Sequence, residues 1–105
     1  MKNANGKREG IMKTLHNSDI SGAHDNVDDL TVFGDGDMFQ LLCKASSKKE
    51  GWMKSTKAME IPGVGCVVQV TTQQGDNIAE ALVFVPGVII IGDTNGGRKL
   101  TDELD

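Results

Sequence analysis

The sequence predicts a mainly β domain: an antiparallel meander of about five strands, curled into a small barrel or sandwich. Three observations carry that expectation. From Asp37 onward, short β-rich runs alternate with clusters of turn residues. The runs are joined by only a few residues, which makes successive strands hairpin partners. The 105 residues, 38% of them hydrophobic, suffice for one core and for no interdomain cleft. The alternative is an α+β fold in which a helix from the N-terminal arm covers one face of the sheet.

In chain order, residues 1–36 read as a polar arm rich in Asn, Asp, Gly, Ser and Lys, with apolar residues that lack a sustained period. Such a segment buries too little surface to offset an ordering cost of roughly 1 to 2 kcal/mol per residue, so mobility is expected except where Leu30 to Phe33 can pair with the sheet. The β domain spans 37–92. Over 38–45 the side chains alternate, and the face with Phe39, Leu41, Cys43 and Ala45 is the expected core face. A polar loop ending in Gly51 leads into a second strand over 52–61, forming a hairpin. Pro62-Gly63-Val64-Gly65 then turns the chain into a β-branched run from Cys66 to Thr72. After a tight turn over 73–77, Ile78 to Val85 returns. Pro86-Gly87, as a turn or an edge bulge, precedes the last strand, Val88 to Ile91. The tail, 93–105, reads as loop with a short helix near Leu100 to Leu104.

The net charge is -4, yet the charges are segregated. Residues 1–17 carry +3, residues 18–37 carry -6 with no basic side chain, residues 38–59 carry +4, and residues 60–105 carry -5. At a pI of about 5.0 any affinity for an anionic polymer or membrane surface must come from a local patch. No apolar run reaches the roughly 20 residues of a membrane helix, and Glu80, Pro86 and Gly87 interrupt the longest. Residues 1–10 are polar, unlike a secretory signal, so a soluble intracellular protein is expected.

Few residues offer catalytic chemistry. The only histidines, His16 and His24, sit in the polar arm and read as solvated side chains, while Asp28-Asp29 and Asp35-Gly36-Asp37 resemble fragments of a calcium loop but lack its order and terminal glutamate. Cys43 and Cys66 are 23 residues apart without metal-ligand spacing, and both are expected to be buried free thiols in strands. A cross-sheet disulfide would need an oxidising compartment, to which nothing directs the chain. The glycine pairs fit no phosphate loop and read as turn residues. No metal, no cofactor and no enzymatic activity are expected.

The informative segment is 44–59, where five lysines, the single Trp and several hydroxyls meet. Lys48 and Lys49 lie in the loop. On the following strand Trp52, Lys54 and Thr56 share one face with Ala58, while Ser55 and Lys57 share the other with Met53 and Met59. These seven residues are the candidate binding site for a partner or an anion. One aromatic, no arginine and an acidic surround argue against nucleic acid. The simpler reading is an edge hairpin that its lysines protect from aggregation, with Trp52 folded onto the core.

The stretch Lys49 to Val88, reading KEGWMKSTKAMEIPGVGCVVQVTTQQGDNIAEALVFVPGV, resembles small uncharacterised proteins of tailed bacteriophages. The resemblance implies a phage origin and a place in the host cytoplasm or the virion, and it transfers no site residues. The expected function is therefore binding to a host protein as an accessory factor. The alternatives are a virion component such as a capsid decoration protein, and a small anion or nucleotide binder using Lys54, Ser55, Thr56 and Lys57. A homo-oligomer is compatible with all three.

Overall fold

The computed structural model describes residues 19–93 and 96–103. Among these residues a one-turn helix, α1 (Ile20–Ala23), precedes six strands: β1 (Gln40–Ser47), β2 (Trp52–Ile61), β3 (Gly65–Gln74), β4 (Asn77–Pro86), β5 (Val88–Gly92) and β6 (Arg98–Asp102). The protein is mainly β, and every strand pairing is antiparallel. The first four strands form one meander sheet in the order β1-β2-β3-β4, and β5-β6 form a separate hairpin. No barrel closes. The hairpin lies over one end of the meander in a small sandwich-like arrangement.

That covered end is the core. Ala58, Cys66 and Val68 are buried there, with Leu42 and Val85 from the same sheet and Val88, Ile90 and Leu100 from the hairpin packed against them. Polar contacts hold the hairpin down. The Ile90 N–H donates to Glu60 Oε1 at 2.9 Å, and Arg98 Nη1 donates to the Leu41 carbonyl at 2.9 Å. Gly97 approaches β1 so closely that a Cβ would lie 2.7 Å from the Leu42 carbonyl oxygen.

Three expectations require correction, and two aspartates gain a structural role. The tail contains β6 in place of a loop and short helix, because Leu100 opposes Ile90 and joins the core. Cys43 is exposed although Cys66 is buried: the register of β1 against β2 shifts between Leu41 and Cys43, Leu42 packs on the core, and Cys43 lies on the edge strand opposite Thr56. Leu30 to Phe33 form no strand, and the Phe33 ring is fully exposed. Asp35 and Asp37 are structural. Asp37 accepts hydrogen bonds from the Ile20 N–H at 2.6 Å and the Ser21 hydroxyl at 3.1 Å, and its own N–H donates to Asp35 Oδ1. The N-terminal part of the expected arm, with His16, lies outside the described residues, as does most of any helix drawn from it. Pro86-Gly87 is a turn, with Gly87 at φ 71°, where the chain leaves the meander for the second sheet.

Candidate functional site at the open end of the sheet

β2, β3 and β4 are each ten residues long, about 33 Å at a strand's rise, and the β5-β6 hairpin covers only the end containing Ala58, Cys66 and Val68. The register fixes what shares that face farther along. Ala58 opposes Val68, Thr56 opposes Val70, Lys54 opposes Thr72 and Trp52 opposes Gln74. Lys54, Val70, Thr72 and Gln74 are exposed, while Thr56 and Trp52 are half-buried. Moving outward from the core, one continuous face therefore changes from apolar packing to an open surface of ammonium, hydroxyl and indole groups.

The two hairpin turns that border this surface touch. The Gly51 N–H donates to the Ser47 carbonyl at 2.8 Å, the Glu50 N–H donates to Ser47 Oγ at 3.1 Å, and the Gly75 N–H donates to the Gly51 carbonyl at 2.8 Å. Lys48 and Lys49 sit exposed in the β1-β2 turn, with Glu50 and Asp76 nearby in the sequence of the two turns. Of the seven candidate residues, Lys48, Lys49, Trp52, Lys54 and Thr56 thus gather at the open end.

Ser55 and Lys57 do not join them. Both point to the opposite face, where Ser55 is buried beside Met53 and opposes Lys44 of β1. The Lys57 ammonium contributes to the environment of two groups there. The Asp37 carboxyl is held below the usual carboxylate range, chiefly by the Ile20 N–H, then by Ser21 and by Lys57. Lys44 is lowered from the usual ammonium range by burial and by Lys57. A pocket lined by all of Lys54, Ser55, Thr56 and Lys57 would need both faces of one sheet, so these four do not line a single pocket.

A cavity of about 870 Å³ runs along the outer edge of β1, bordered by Asp19, Asp37, Phe39, Lys44, Asp93 and Arg98. Its polar groups are engaged internally: Asp19 accepts from the Gly22 N–H, Asp37 from α1, and Arg98 donates to Leu41. Three carboxylates and two cations give it no surplus of positive charge. Among the described residues no group of three or more His, Cys, Asp or Glu side chains is placed to hold a metal ion. No helix among them is long and apolar enough to cross a membrane.

Sequence reasoning missed β3's contribution, Val70 and Thr72, because only strand register shows what stands opposite Lys54 and Thr56. It also read Ile78 to Val85 as an ordinary returning strand. The apolar run there suits a strand buried on both faces, yet nine of the ten β4 residues are exposed.

What this geometry defines is a small mainly β protein built on one meander sheet, covered at one end and open at the other. The chain belongs to the Lockin family, whose family model matches residues 11–101. No curated protein and no solved structure matches the chain.

Proposed function

We propose that this chain is a non-catalytic binding protein that acts by occupying the surface of another protein, with the open end of the sheet as its working surface. The carrying observation is the juxtaposition of Trp52, Lys54 and Thr56 with Val70 and Thr72 on one uncovered face, beside Lys48 and Lys49 in the adjoining turn. A mixed surface of indole, valine, hydroxyl and ammonium groups suits an acidic partner that also offers apolar contact. The resemblance of residues 49–88 to phage proteins supports a phage accessory factor acting on a host protein in the host cytoplasm. Charge reversal tests this reading. Lys48→Glu, Lys49→Glu and Lys54→Glu together should leave the melting temperature nearly unchanged, because exposed charges contribute little to stability. They should abolish stoichiometric, salt-sensitive capture of the partner from host lysate. Capture unaffected by the triple change would sink the proposal. Many copies of the protein in purified particles, with no host partner retained, would favour the virion role instead.

A second reading is favoured by a specific pairing: Lys54 stands directly opposite Thr72, two positions from Thr56 and Trp52 on the same face. An ammonium, two hydroxyls and an indole suit a phosphate-bearing ligand with a stacking ring, such as a nucleotide. Titration calorimetry with a nucleotide panel would test it. Lys54→Ala should weaken any binding, whereas Lys57→Ala, on the opposite face, should not. Equal effects of the two changes, or no heat with any nucleotide, would remove this reading.

A further inference from the structure

We propose that a second copy of this chain pairs with the first along the open edge of β4, joining two four-stranded sheets into one continuous eight-stranded sheet. This inference is independent of the functional proposal, since it concerns the edge of the sheet and not its basic face.

β4 ends the strand order, and no described residue pairs with its outer side. It is apolar on both faces. Ile78, Leu82 and Phe84 are 60%, 63% and 46% exposed on one face, and Val83 is 56% exposed on the other with Ala79 and Ala81. Its only charge is Glu80, whose carboxylate accepts a hydrogen bond from Gln69 Nε2 of its own sheet at 2.8 Å. Edge strands in monomers are usually blunted by lysines, bulges or brevity. This one has ten residues, no lysine, and an unbroken register against β3 from Asn77 to Pro86.

The hairpin turn determines which peptide groups face outward. Gly75 and Asp76 form a two-residue turn, with Gly75 at φ 57°, and Gln74 and Asn77 are the closing pair. In such a hairpin the closing pair is hydrogen-bonded, so Asn77 and every second residue after it direct N–H and C=O toward β3. Ile78, Glu80, Leu82 and Phe84 direct theirs toward the open edge. Pro86 falls in this outward set, where a missing N–H breaks no bond of the sheet and marks the end of the available edge.

A second copy fits this edge in one register. Antiparallel pairing centred on Ala81 sets Ile78 against Phe84 and Glu80 against Leu82 in both directions. It uses all four outward residues and leaves Pro86 outside the ladder. Each outward pair exchanges two hydrogen bonds, about eight in all. Small Ala81 side chains meet at the two-fold axis, where a non-hydrogen-bonded pair brings side chains closest. Centring on Glu80 would oppose two carboxylates, and centring on Leu82 would place Pro86 against Ile78, forfeiting bonds at both ends. Charge also favours a like strand. An acidic partner finds no lysine on this edge, and a basic partner finds one carboxylate that is already hydrogen-bonded.

Sedimentation of the full chain and site-directed crosslinking together test the proposal. The parent should sediment as a dimer, and Leu82→Lys, a change at an exposed side chain, should raise the dissociation constant by about ten-fold or more while leaving the monomer's circular dichroism unchanged. In a Cys43→Ser background, Ala81→Cys should form an intermolecular disulfide on mild oxidation and Ala79→Cys should not. Ala79→Cys mixed with Val83→Cys should form a mixed disulfide, because these two residues oppose each other in the stated register. A parent that remains monomeric at its highest soluble concentration would overturn the proposal. So would an oligomer indifferent to Leu82→Lys, or one in which Ala79→Cys crosslinks to itself as readily as Ala81→Cys does.

Discussion

At Gly65 the backbone takes φ 153°, and a Cβ built there would lie 2.3 Å from the Val85 carbonyl oxygen and 2.8 Å from the Pro86 Cα. Both obstacles are backbone, so nothing can swing aside. Gly65→Ala should cost about 2 kcal/mol or more in urea unfolding. Gly51→Ala, at φ 72° but with open space around it, should cost about 1 kcal/mol. The two cysteines differ as sharply. Cys66 is buried with Sγ 3.5 Å from the Val88 carbonyl, and burial, aided by Glu60, pushes its thiol up. Cys43 is exposed. A thiol reagent at neutral pH should therefore modify Cys43 rapidly and Cys66 only when the structure above it opens. Because the folded thiol of Cys66 is raised, its contribution to stability is intact below the ordinary thiol pKa of about 8.5 and declines as pH rises beyond it. Cys66→Ala should flatten that alkaline decline in a melting-temperature series. Glycine's role at the 62–65 turn could be read from composition. The exposure of Cys43 could not, because it depends on β1 lying at the sheet's edge and on how far the β5-β6 cover reaches, neither of which the alternation over 38–45 shows.

At the scale of elements, the β5-β6 hairpin stabilises the molecule out of proportion to its ten strand residues, because it is what buries the Ala58, Cys66 and Val68 cluster. Leu100→Ala should cost about 2 kcal/mol, the loss expected from a half-buried leucine that touches the core. Met38→Ala, at an exposed side chain, should stay within about 0.5 kcal/mol of the parent. Comparing their urea midpoints at equal slope checks the pair. The four meander strands were legible because period-2 alternation and glycine turns are local signals. β6 was not, since Arg-Lys-Leu-Thr-Asp has no strand-like period and becomes a strand through Ile90 and the core beneath it.

For the molecule as a whole, one end of the sheet is sandwiched and no described residue covers the other, so the apolar side chains of β4, with Val70 of β3, stay in water in a single copy. Edge-to-edge association through β4 buries part of that strand's surface and is coupled to folding by mass action. The melting temperature of the parent should rise with protein concentration, while that of Leu82→Lys should be flat across the same series. The candidate site was half legible for a related reason. Sequence places Trp52, Lys54 and Thr56 on one face of β2, but only the register of β3 shows Val70 and Thr72 beside them, and only the limited reach of the hairpin shows that the face is open.

The hydrogen bond from Arg98 to the Leu41 carbonyl is a clasp between residues 57 positions apart, whereas each meander hairpin closes over a handful. That difference gives the protein an order of assembly. Near-neighbour strand pairing can zip up the four-stranded sheet with little loop entropy to overcome, while the clasp must gather a long segment before it gains anything. The sheet is therefore expected to form first and the β5-β6 cover last, an order that pulsed hydrogen exchange would read as early protection of β2 and β3 and late protection of β5. By the same asymmetry the cover is expected to lift first, and labelling of Cys66 in urea too dilute to unfold the sheet would register it.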